Sequence, residues 1–444
     1  MDRHAPLNDT IFARASGAGK AGVAVFRVSG PEVSAVAEKL CGGLPGARRA
    51  AVRTLRDADG SPIDSGLVIL FRGPASFTGE DVAEFHVHGS RAVEAALIEA
   101  LAAAGARPAE AGEFTRRALE NGKLDLAQVE ALSDLIDAET SEQRRQAWGQ
   151  LDGRLSALAE GWRRRLIEVL APLEADIDFP DEEGVPAAVA ARAGPAIDAL
   201  AGELRSYRSA SVRLRTIRTG INIAIVGAPN AGKSSLLNRL AGSDVAIVSE
   251  TPGTTRDVIE VRLDLAGLPV VLADTAGLRE APGDAIESEG MKRALKRAED
   301  AAIRVVVADS VSRETPPLLQ AGDFLVWNKI DLAAPPAGAP EGVFVHALSA
   351  RTGEGVDGFI AALTEAARER FGPSGEAGLT RLRHVQAVEK AIAALERARA
   401  RVETDAELAA EDARLAARAL GEITGAVDVE DVLGEIFSSF CIGK

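Results

Sequence analysis

The segment Gly227-Ala228-Pro229-Asn230-Ala231-Gly232-Lys233-Ser234 decides the fold of the part of the chain around it. It matches the phosphate-loop pattern G-x-x-x-x-G-K-S/T. An apolar run at 221–226 precedes it and predicts a buried strand, and residues 235–240 predict a helix. In this context the backbone N–H groups of the loop converge on phosphate oxygens. We predict that Lys233 reaches the β- and γ-phosphates of a nucleotide and that Ser234 ligates magnesium, rather than that the glycines form a chance turn.

Three further segments follow in the order that a GTP-binding domain requires. Asp274-Thr275-Ala276-Gly277 ends an apolar run, where an aspartate can hold magnesium through water. Asn328-Lys329-Ile330-Asp331 ends another, and Asp331 can accept two hydrogen bonds from guanine that adenine cannot donate. Ser349-Ala350-Arg351 ends a third, where a backbone N–H can contact guanine O6. Together these spacings predict a guanine-nucleotide-binding domain.

The predicted nucleotide site draws on all four segments and on the loop at 245–257, which we expect to be switch I. One threonine hydroxyl of that loop should complete the magnesium shell when the γ-phosphate is present. The residues predicted to bind GTP are Asn230, Ala231, Gly232, Lys233, Ser234, Ser235, Ser249, Thr254, Thr255, Asp274, Thr275, Ala276, Gly277, Asn328, Lys329, Asp331, Ser349, Ala350 and Arg351.

The hydrolysis machinery differs from that of Ras-type GTPases. Those place a water-orienting glutamine directly after the D-x-x-G segment, where this chain has Leu278. Two residues can substitute: the Asn230 side-chain oxygen can bind a monovalent cation beside the phosphates, and Glu287 can orient or activate water. Glu287 can equally be a surface acid, because other acids of the same segment compete for the role: Glu280, Asp284 and Glu289.

Length and composition bound the class of protein. A chain of 444 residues with 46% hydrophobic content suggests about three domains. We find no secretory segment and no run of about 20 apolar residues, and the two cysteines, Cys41 and Cys441, lie far apart. These features predict a cytoplasmic protein with no membrane span. The net charge of −15 argues against a broadly basic RNA-coating surface, and the basic runs at 163–165 and 213–218 are either local RNA contacts or solvated helix faces.

The rest of the chain predicts one α+β region and two helical regions. Residues 1–120 contain strand-like runs at 22–28, 66–71 and 81–88, and the last of these alternates so that Glu84, His86 and His88 share one face. Asp125 with Gln128 predicts a helix start. Apolar residues then recur at helical spacing and form three stripes. The stripes are Val129, Leu132, Leu135 and Ile136; Leu151, Leu155, Leu158, Trp162, Leu166, Val169 and Leu173; and Leu382, Val385, Val388, Ile392, Leu395 and Val402.

The helical stripes on both sides of the nucleotide-binding region need partners. The economical solution is one discontinuous helical domain, formed by 121–216 and 373–444, with an α/β GTPase domain at 217–372 inserted between its halves. We therefore predict a multidomain α/β + α fold: an N-terminal α+β domain at 1–120, the discontinuous helical domain, and the inserted Ras-like phosphate-loop GTPase domain.

Motifs distributed along the whole chain make it resemble the tRNA modification GTPases of the MnmE/TrmE type nearly end to end. They are GVAVFRVSG at 22–30, SFTGED at 76–81, KLDLAQ at 123–128, DFPDEE at 178–183, GTTRD at 253–257 and FCIGK at 440–444. The GTPase segments identify a superfamily, whereas the N-terminal motifs and the C-terminal tail identify the family.

The resemblance implies a folate-binding-like N-terminal domain that also forms a homodimer. It implies that Arg27, Glu84, Lys123 and Lys444 contact a 5-formyltetrahydrofolate-type one-carbon donor. It implies GTP-dependent addition of a carboxymethylaminomethyl or aminomethyl group to C5 of the wobble uridine of certain tRNAs. The modification would be carried out together with an FAD- and NADH-dependent partner protein, in a heterotetramer.

The resemblance also implies that potassium activates hydrolysis by pairing the GTPase domains of a dimer. The potassium ligands would be Asn230, Ser249, Thr251 and Thr254; the magnesium ligands would be Ser234 and Thr255; the catalytic residues would be Glu287 and Lys233. Cys441 either serves in modification or is a small apolar residue of the tail, and a prenylation signal fits it poorly. Two rival functions are a non-modifying GTPase switch in ribosome assembly and a folate carrier regulated by its GTPase.

Overall fold

The computed structural model describes residues 9–178, 189–247, 260–274, 301–314, 319–338, 340–372, 378–427, 436–437, 440 and 443. The chain forms two compact units, Met1–Ser133 with Gly421–Lys444, and Asp134–Leu420. Among the described residues, no helix is both long enough and apolar enough to cross a membrane.

The first unit is built on a six-stranded sheet. Its strands are β1 (Ile11–Arg14), β2 (Ala21–Ser29), β3 (Ala51–Arg56), β4 (Pro62–Phe71), β5 (Val82–Gly89) and β6 (Arg107–Pro108). They lie in the order β3-β4-β5-β2-β1-β6, and only the β1–β6 pair is parallel. The helices of this unit include α1 (Val33–Cys41), α2 (Arg91–Ala103) and α3 (Glu113–Glu120). The strands predicted at 22–28, 66–71 and 81–88 are confirmed as β2, β4 and β5.

One face of this sheet is buried, and the other carries half-buried and exposed side chains, both polar and apolar. Phe85 of β5 is fully buried with Phe26 of β2 and Leu97 of α2. Each such side chain stabilises the fold by about 1.5–3 kcal/mol. The residues between the buried ones, Glu84 and His86, are half-buried on the opposite face. The predicted alternation of β5 is therefore correct.

The end of the chain returns to this unit. Phe437 and Phe440 form a cluster with Val129 of α4 (Leu126–Ile136). Gly112 has a φ of 67°, and a Cβ there would lie 2.8 Å from the Phe437 ring, so that this close approach requires glycine. The backbone of Gly443 lies against the carbonyl oxygen of Arg14, at the end of β1.

The second unit contains a series of helices. They are α5 (Ser141–Leu151), α6 (Arg154–Asp178), α7 (Ala193–Thr219), α8 (Lys233–Ala241), α9 (Val356–Phe371) and α10 (Leu382–Arg401), and α11 (Ala406–Thr424) ends at the boundary with the first unit. The indole Nε1 of Trp162 in α6 donates to Glu203 of α7 at 2.8 Å. Arg205 of α7 pairs with Glu396 of α10 at 2.6 Å. Helices that precede and follow the nucleotide-binding segment therefore pack together.

The second unit also contains a six-stranded sheet of largely parallel strands. They are β7 (Ile221–Gly227), β8 (Glu260–Leu265), β9 (Leu268–Asp274), β10 (Ile303–Asp309), β11 (Phe324–Asn328) and β12 (Phe344–Ala347), in the order β12-β11-β10-β7-β9-β8. Only β8 and β9 pair antiparallel. The strands predicted before each nucleotide motif are confirmed, as is the helix after the phosphate loop, which is α8.

The β8–β9 turn contacts the start of α5. The Glu142 N–H donates to the Gly267 carbonyl oxygen at 3.1 Å, and Arg262 pairs with Glu139 at 2.8 Å. Gly267 has a φ of 94°, and a Cβ there would lie 2.4 Å from the Ser141 hydroxyl. This turn thus connects the nucleotide-binding sheet with the helices of the same unit.

Three details of the predicted helical stripes are wrong, one of them being Leu382, which is 58% exposed at the first residue of its helix. The stripe from Leu151 to Leu173 was expected to be continuous, but Gly153, with a φ of 86°, separates α5 from α6. Ile136 is 41% exposed because α4 ends there.

The predicted helix start is confirmed, since Asp125 and Gln128 exchange reciprocal backbone-to-side-chain hydrogen bonds of 3.0 and 2.9 Å.

The basic runs are largely engaged with acids or carbonyls of the chain. Arg163 pairs with Glu160 at 3.2 Å, and Arg165 pairs with Glu203. Arg218 donates to the Thr380 carbonyl oxygen at 3.1 Å. These contacts give Arg163, Arg165 and Arg218 a structural role.

Candidate nucleotide-binding site

The phosphate loop lies at the point where the chain order of the parallel sheet reverses. Strand β7 has β10 on one side and β9 on the other, so its carboxyl end opens a crevice between them. Gly227 ends β7, and a Cβ there would lie 2.2 Å from the Val307 carbonyl oxygen of β10. Glycine is required at this position because the two strands approach so closely.

The loop has a conformation suited to wrapping a phosphate group. Asn230 and Gly232 have φ angles of 62° and 95°, and helix α8 begins directly afterwards at Lys233. Lys233 is 7% exposed, and its Nζ donates to the carbonyl oxygens of Gly227 and Ala228 at 2.8 and 2.9 Å. A buried ammonium group, loop amides and a helix N-terminus together attract anionic oxygens.

Asn328 joins three of the predicted motifs. It is 2% exposed, and its Nδ2 donates to the Ala231 carbonyl oxygen at 2.9 Å. Its Oδ1 accepts from the N–H groups of Lys329 and Ala350 at 2.8 and 3.0 Å. This one amide therefore fixes the phosphate loop, the end of β11 and the loop at 349–351 relative to one another.

The charged residues after β11 differ in their surroundings. Lys329 has a φ of 67°, and its Nζ pairs with Asp309 at the end of β10 at 2.6 Å. The hydrogen bond from Lys329 holds the pKa of Asp309 below its ordinary value. Asp331 is exposed, so its carboxylate is accessible to a base edge.

The loop at 349–351 is tightly held. Ser349 is fully buried, and its hydroxyl accepts from the Thr352 N–H at 3.1 Å. Arg239 of α8 donates through Nε to the Ala350 carbonyl oxygen at 3.0 Å and through Nη2 to the Arg351 carbonyl oxygen. The loop that we expect to contact guanine is thus tied directly to the helix that follows the phosphate loop.

The remaining predicted nucleotide residues have less complete descriptions. Ser234 and Ser235 are exposed in the first turn of α8, and Asp274 ends β9 at the same edge of the sheet as Gly227. Ten predicted site residues lie outside the described residues: Ser249, Thr251, Thr254, Thr255, Thr275, Ala276, Gly277, Glu287, Cys441 and Lys444.

In the first unit, two predicted folate ligands contact each other. Arg27 and Glu84 are direct cross-strand neighbours in β2 and β5. The Arg27 Nε and Nη2 donate to one Glu84 oxygen at 3.1 and 3.0 Å. The guanidinium also lies 5.3 Å from the centroid of the Phe77 ring and 5.9 Å from that of Phe114. The half-buried cation and carboxylate beside the Phe77 ring suit a planar heteroaromatic ligand, whereas Phe114 is fully buried.

The loop that carries Phe77 also reaches the third predicted ligand. Lys123 is exposed, and its Cγ would lie 3.3 Å from a Cβ on Gly79. Asn121 donates to the Thr78 carbonyl oxygen at 2.7 Å. The segment at 76–80 therefore contacts both the Arg27 and the Lys123 regions.

A buried ionic network holds this segment. Arg117 is 1% exposed and pairs with Asp9, Glu80 and Glu113 at 2.6, 3.1 and 3.0 Å. Burial alone would raise the pKa of Glu113, but hydrogen bonds from Arg107 and the Glu110 N–H outweigh burial and hold it below its ordinary value. The Glu113 carboxylate is therefore stabilised in its charged form.

Family models match most of the chain. A model described as "GTP-binding protein TrmE N-terminus" matches residues 10–123, and one described as "MnmE helical domain" matches residues 126–441. The chain belongs to the MnmE family of tRNA modification GTPases.

Relatives bearing the MnmE name align over almost the full length. The "tRNA modification GTPase MnmE" of Maricaulis maris is 51% identical over 99% of this chain and 100% of that protein. The proteins of the same name from Phenylobacterium zucineum and Parvibaculum lavamentivorans are 52% and 53% identical, over 99% and 98% of this chain and 100% of each relative. Among solved structures, the G domain of the T. maritima FeoB iron transporter is 26% identical over 33% of this chain and 98% of that chain, with a TM-score of 0.25 that carries no structural argument.

For this MnmE family member, sequence reasoning missed three residues that shape the sites: Asp309, Arg239 and Arg117. Asp309 had a usable signal, because it ends the apolar run of β10 in the way that Asp274 ends β9. Arg239 and Arg117 had none, because an arginine in an amphipathic helix ordinarily faces water.

Proposed function

We propose that this chain binds and hydrolyses GTP and uses hydrolysis to drive addition of a carboxymethylaminomethyl or aminomethyl group to C5 of the wobble uridine of certain tRNAs. The observation that carries the nucleotide part is the bridge through Asn328, which joins the phosphate loop to Ala350. Membership of the MnmE family supports the tRNA part.

In this proposal the chain's own residues divide the binding of the nucleotide. Lys233 and the loop amides hold the phosphates, and Asp331 with the loop at 349–351 selects guanine. Ser234 and Thr255 would ligate Mg²⁺, which neutralises phosphate charge when bound. The exposed position of Ser234 at the start of α8 fits this role, because the same helix N-terminus would face the phosphates.

Potassium activation is the finer part of the proposal. Leu278 cannot orient water, so Glu287 would orient or activate the attacking water and a cation would neutralise charge. The cation ligands would be Asn230, Ser249, Thr251 and Thr254. Asn230 supports the assignment because it is exposed in the phosphate loop, and its amide oxygen is a neutral ligand suited to K⁺. Two copies of the GTPase domain would associate around the bound cation.

The one-carbon chemistry would reside in the N-terminal domain of a homodimer. Arg27, Glu84, Lys123 and Lys444 would bind a 5-formyltetrahydrofolate-type donor, and Cys441 could assist the modification. The contact between Arg27 and Glu84, and the position of Gly443 against β1, support a site near the start of that domain. A cytoplasmic heterotetramer with a protein that carries FAD and uses NADH would complete the reaction.

We propose the domain boundaries 1–120, 121–216, 217–372 and 373–444, with the second and fourth segments forming one helical domain around an inserted GTPase domain. The contacts between α7 and α10 support this arrangement, because Arg205 pairs with Glu396 and Asp198 pairs with Arg399 across the insertion.

The first test measures GTP turnover in potassium and in sodium, with and without the flavoprotein partner. We expect turnover to be at least about tenfold faster in potassium, equivalent to about 1.4 kcal/mol of barrier. Glu287→Ala should abolish most turnover while GDP affinity stays unchanged, and Glu280→Ala and Glu289→Ala serve as matched controls. Equal rates in both salts would refute the cation role.

The second test identifies the reaction. Cells that lack this protein should lose 5-substituted wobble uridines, as measured by mass spectrometry of tRNA nucleosides. Unchanged nucleosides together with ribosome association would favour the ribosome-assembly switch instead, a function for which Arg27 and Glu84 are not needed. If cells that lack this protein keep normal modification and the purified protein binds folate, the folate carrier is favoured.

A further inference from the structure

Arg239 occupies an unusual position between the two halves of the nucleotide site. It lies on α8, the helix that begins at the phosphate loop, yet its guanidinium reaches the loop at 349–353. Its Nε donates to the Ala350 carbonyl oxygen at 3.0 Å, and its Nη2 donates to the Arg351 carbonyl oxygen. The guanidinium also covers Gly353, where a Cβ would lie 3.8 Å away.

The internal hydrogen bonds of the loop do not replace this contact. The Ser349 N–H donates to the Glu354 carbonyl oxygen at 2.9 Å, and the Gly353 N–H donates to the Ser349 carbonyl oxygen at 2.8 Å. These bonds fix the shape of the loop, and Asn328 fixes it to β11. Arg239 supplies a direct connection to α8, and so it helps to set the distance between the guanine side and the phosphate side.

The geometry of the peptide bond gives the contact a chemical consequence. The peptide between Ala350 and Arg351 is planar, and in the trans form its C=O and N–H point in opposite directions. By holding the Ala350 carbonyl oxygen, Arg239 fixes the direction of the Arg351 N–H. A charged donor on the carbonyl also polarises the peptide and makes its N–H a stronger donor.

We propose that Arg239 is a positioning residue for guanine specificity, acting through the Ala350–Arg351 peptide on the contact to guanine O6. This inference rests on the proposed GTP-binding function and adds a determinant outside the four nucleotide motifs. Arg239 does not itself touch the nucleotide in this account. Its effect is confined to ligands that carry an oxygen at position 6 of the purine.

The test combines a protein change with a ligand change. Isothermal titration calorimetry in Mg²⁺ compares GDP with 6-thioguanosine 5′-diphosphate, which keeps the N1–H and the 2-amino group of guanine but replaces O6 with sulfur, a weaker hydrogen-bond acceptor. Arg239→Ala should raise the Kd for GDP roughly five- to tenfold, the effect of losing one to two hydrogen bonds, and change that of the analogue by less than about twofold. Arg239→Lys should restore only part of the preference, because lysine lacks the rigid fork that spans two carbonyls.

Arg370 provides a matched control in the same unit. It also donates to two carbonyl oxygens, those of Ala302 and Gly322 at 2.9 and 3.2 Å, but these precede β10 and β11 rather than follow them. Arg370→Ala should leave the ratio of the two Kd values unchanged, and thermal unfolding of both variants shows whether each remains folded.

Each outcome separates the inference from the proposed function. If the unaltered protein does not prefer GDP over the analogue, the assigned guanine contact is wrong. If it does, and Arg239→Ala weakens both ligands equally or neither, the positioning role is refuted while the GTP site stands. If Arg239→Ala does not fold, the same comparison of the two Kd values is made with Arg239→Lys, and the same outcomes decide it.

Discussion

The two six-stranded sheets of this chain bring functional residues together in different ways. In the nucleotide-binding sheet the parallel strands β7, β10 and β11 all end at one edge, so that motifs far apart in the chain meet there. In the N-terminal sheet the strands are mostly antiparallel, and Arg27 meets Glu84 only because β2 and β5 pair in that register. Parallel topology gathers strand ends, whereas antiparallel topology pairs individual residues.

The two regions also differ in how their loops are fixed. The nucleotide loops are held by side-chain hydrogen bonds to their backbone, from Asn328 and Arg239, and by close backbone approaches such as Gly227 against Val307. The segment at 76–80 is held by the buried charges around Arg117. We therefore expect the N-terminal site to be sensitive to loss of charge and the nucleotide site to be sensitive to added volume.

The largest expected effect is on the stability of the N-terminal unit. Arg117→Ala takes the buried cation away from Glu80 and leaves Asp9 and Glu113 paired with Arg107, which should lower the free energy of unfolding by about 3–5 kcal/mol. Denaturant unfolding followed by circular dichroism measures this, and GDP affinity should not change. A loss below about 1 kcal/mol would show that the network is not what fixes this region.

The second effect is on the nucleotide site. A Cβ at Gly232 would lie 2.1 Å from Asn328 Nδ2 at a φ of 95°, so Gly232→Ala adds a clash to a backbone cost of about 1–2 kcal/mol. We expect GDP affinity to fall by more than about tenfold, measured by calorimetry. Gly338→Ala is the matched control, because Gly338 has a φ of 103° with no atom within 4 Å. Similar losses in both variants would exclude the clash as the cause.

The third effect sharpens the comparison at the N-terminal site. Glu84→Gln removes the carboxylate that pairs with Arg27 and should weaken 5-formyltetrahydrofolate binding roughly tenfold, while GTP turnover without the partner stays unchanged. Asp64→Asn, which alters the carboxylate beside His88 in the same sheet, should leave folate affinity within about twofold. Calorimetric titration checks both, and an unaffected Glu84→Gln would remove Glu84 from the site.

The smallest effect concerns the Asp309–Lys329 pair. The hydrogen bond from Lys329 lowers the pKa of Asp309 below its ordinary value of 3.8. The charged carboxylate therefore stabilises the folded state above that value, and the contribution disappears as the pH falls through the lower folded-state pKa. The gap in unfolding free energy between the unaltered chain and Asp309→Asn should be below about 1 kcal/mol at pH 7 and should shrink as the pH falls below 3.8. A gap that grows on acidification would contradict the assignment.

How much of each region could be predicted depended on how far apart in the chain the residues that determine it lie. The strand before the phosphate loop, the loop itself and α8 form one continuous segment, so all three could be predicted from local pattern. The break at Gly153 was missed because the apolar spacing on both sides of it fits a single helix. The sequence placed Glu84 on the correct face of its strand, but it did not predict the contact with Arg27. The register of two strands is not encoded by either strand alone.

The sequence by itself determined where a guanine nucleotide should bind, because each motif is a short run whose backbone geometry and side chains act locally. Only the tertiary structure decided that Asn328 links three motifs, that Arg239 reaches Ala350 from α8, and that Arg117 unites three acids. Some of these contacts join residues that lie far apart in the sequence. Others join residues on neighbouring turns of a helix that no recurring sequence motif marks. Their partners are set by the packing of sheets and helices, which no single segment specifies.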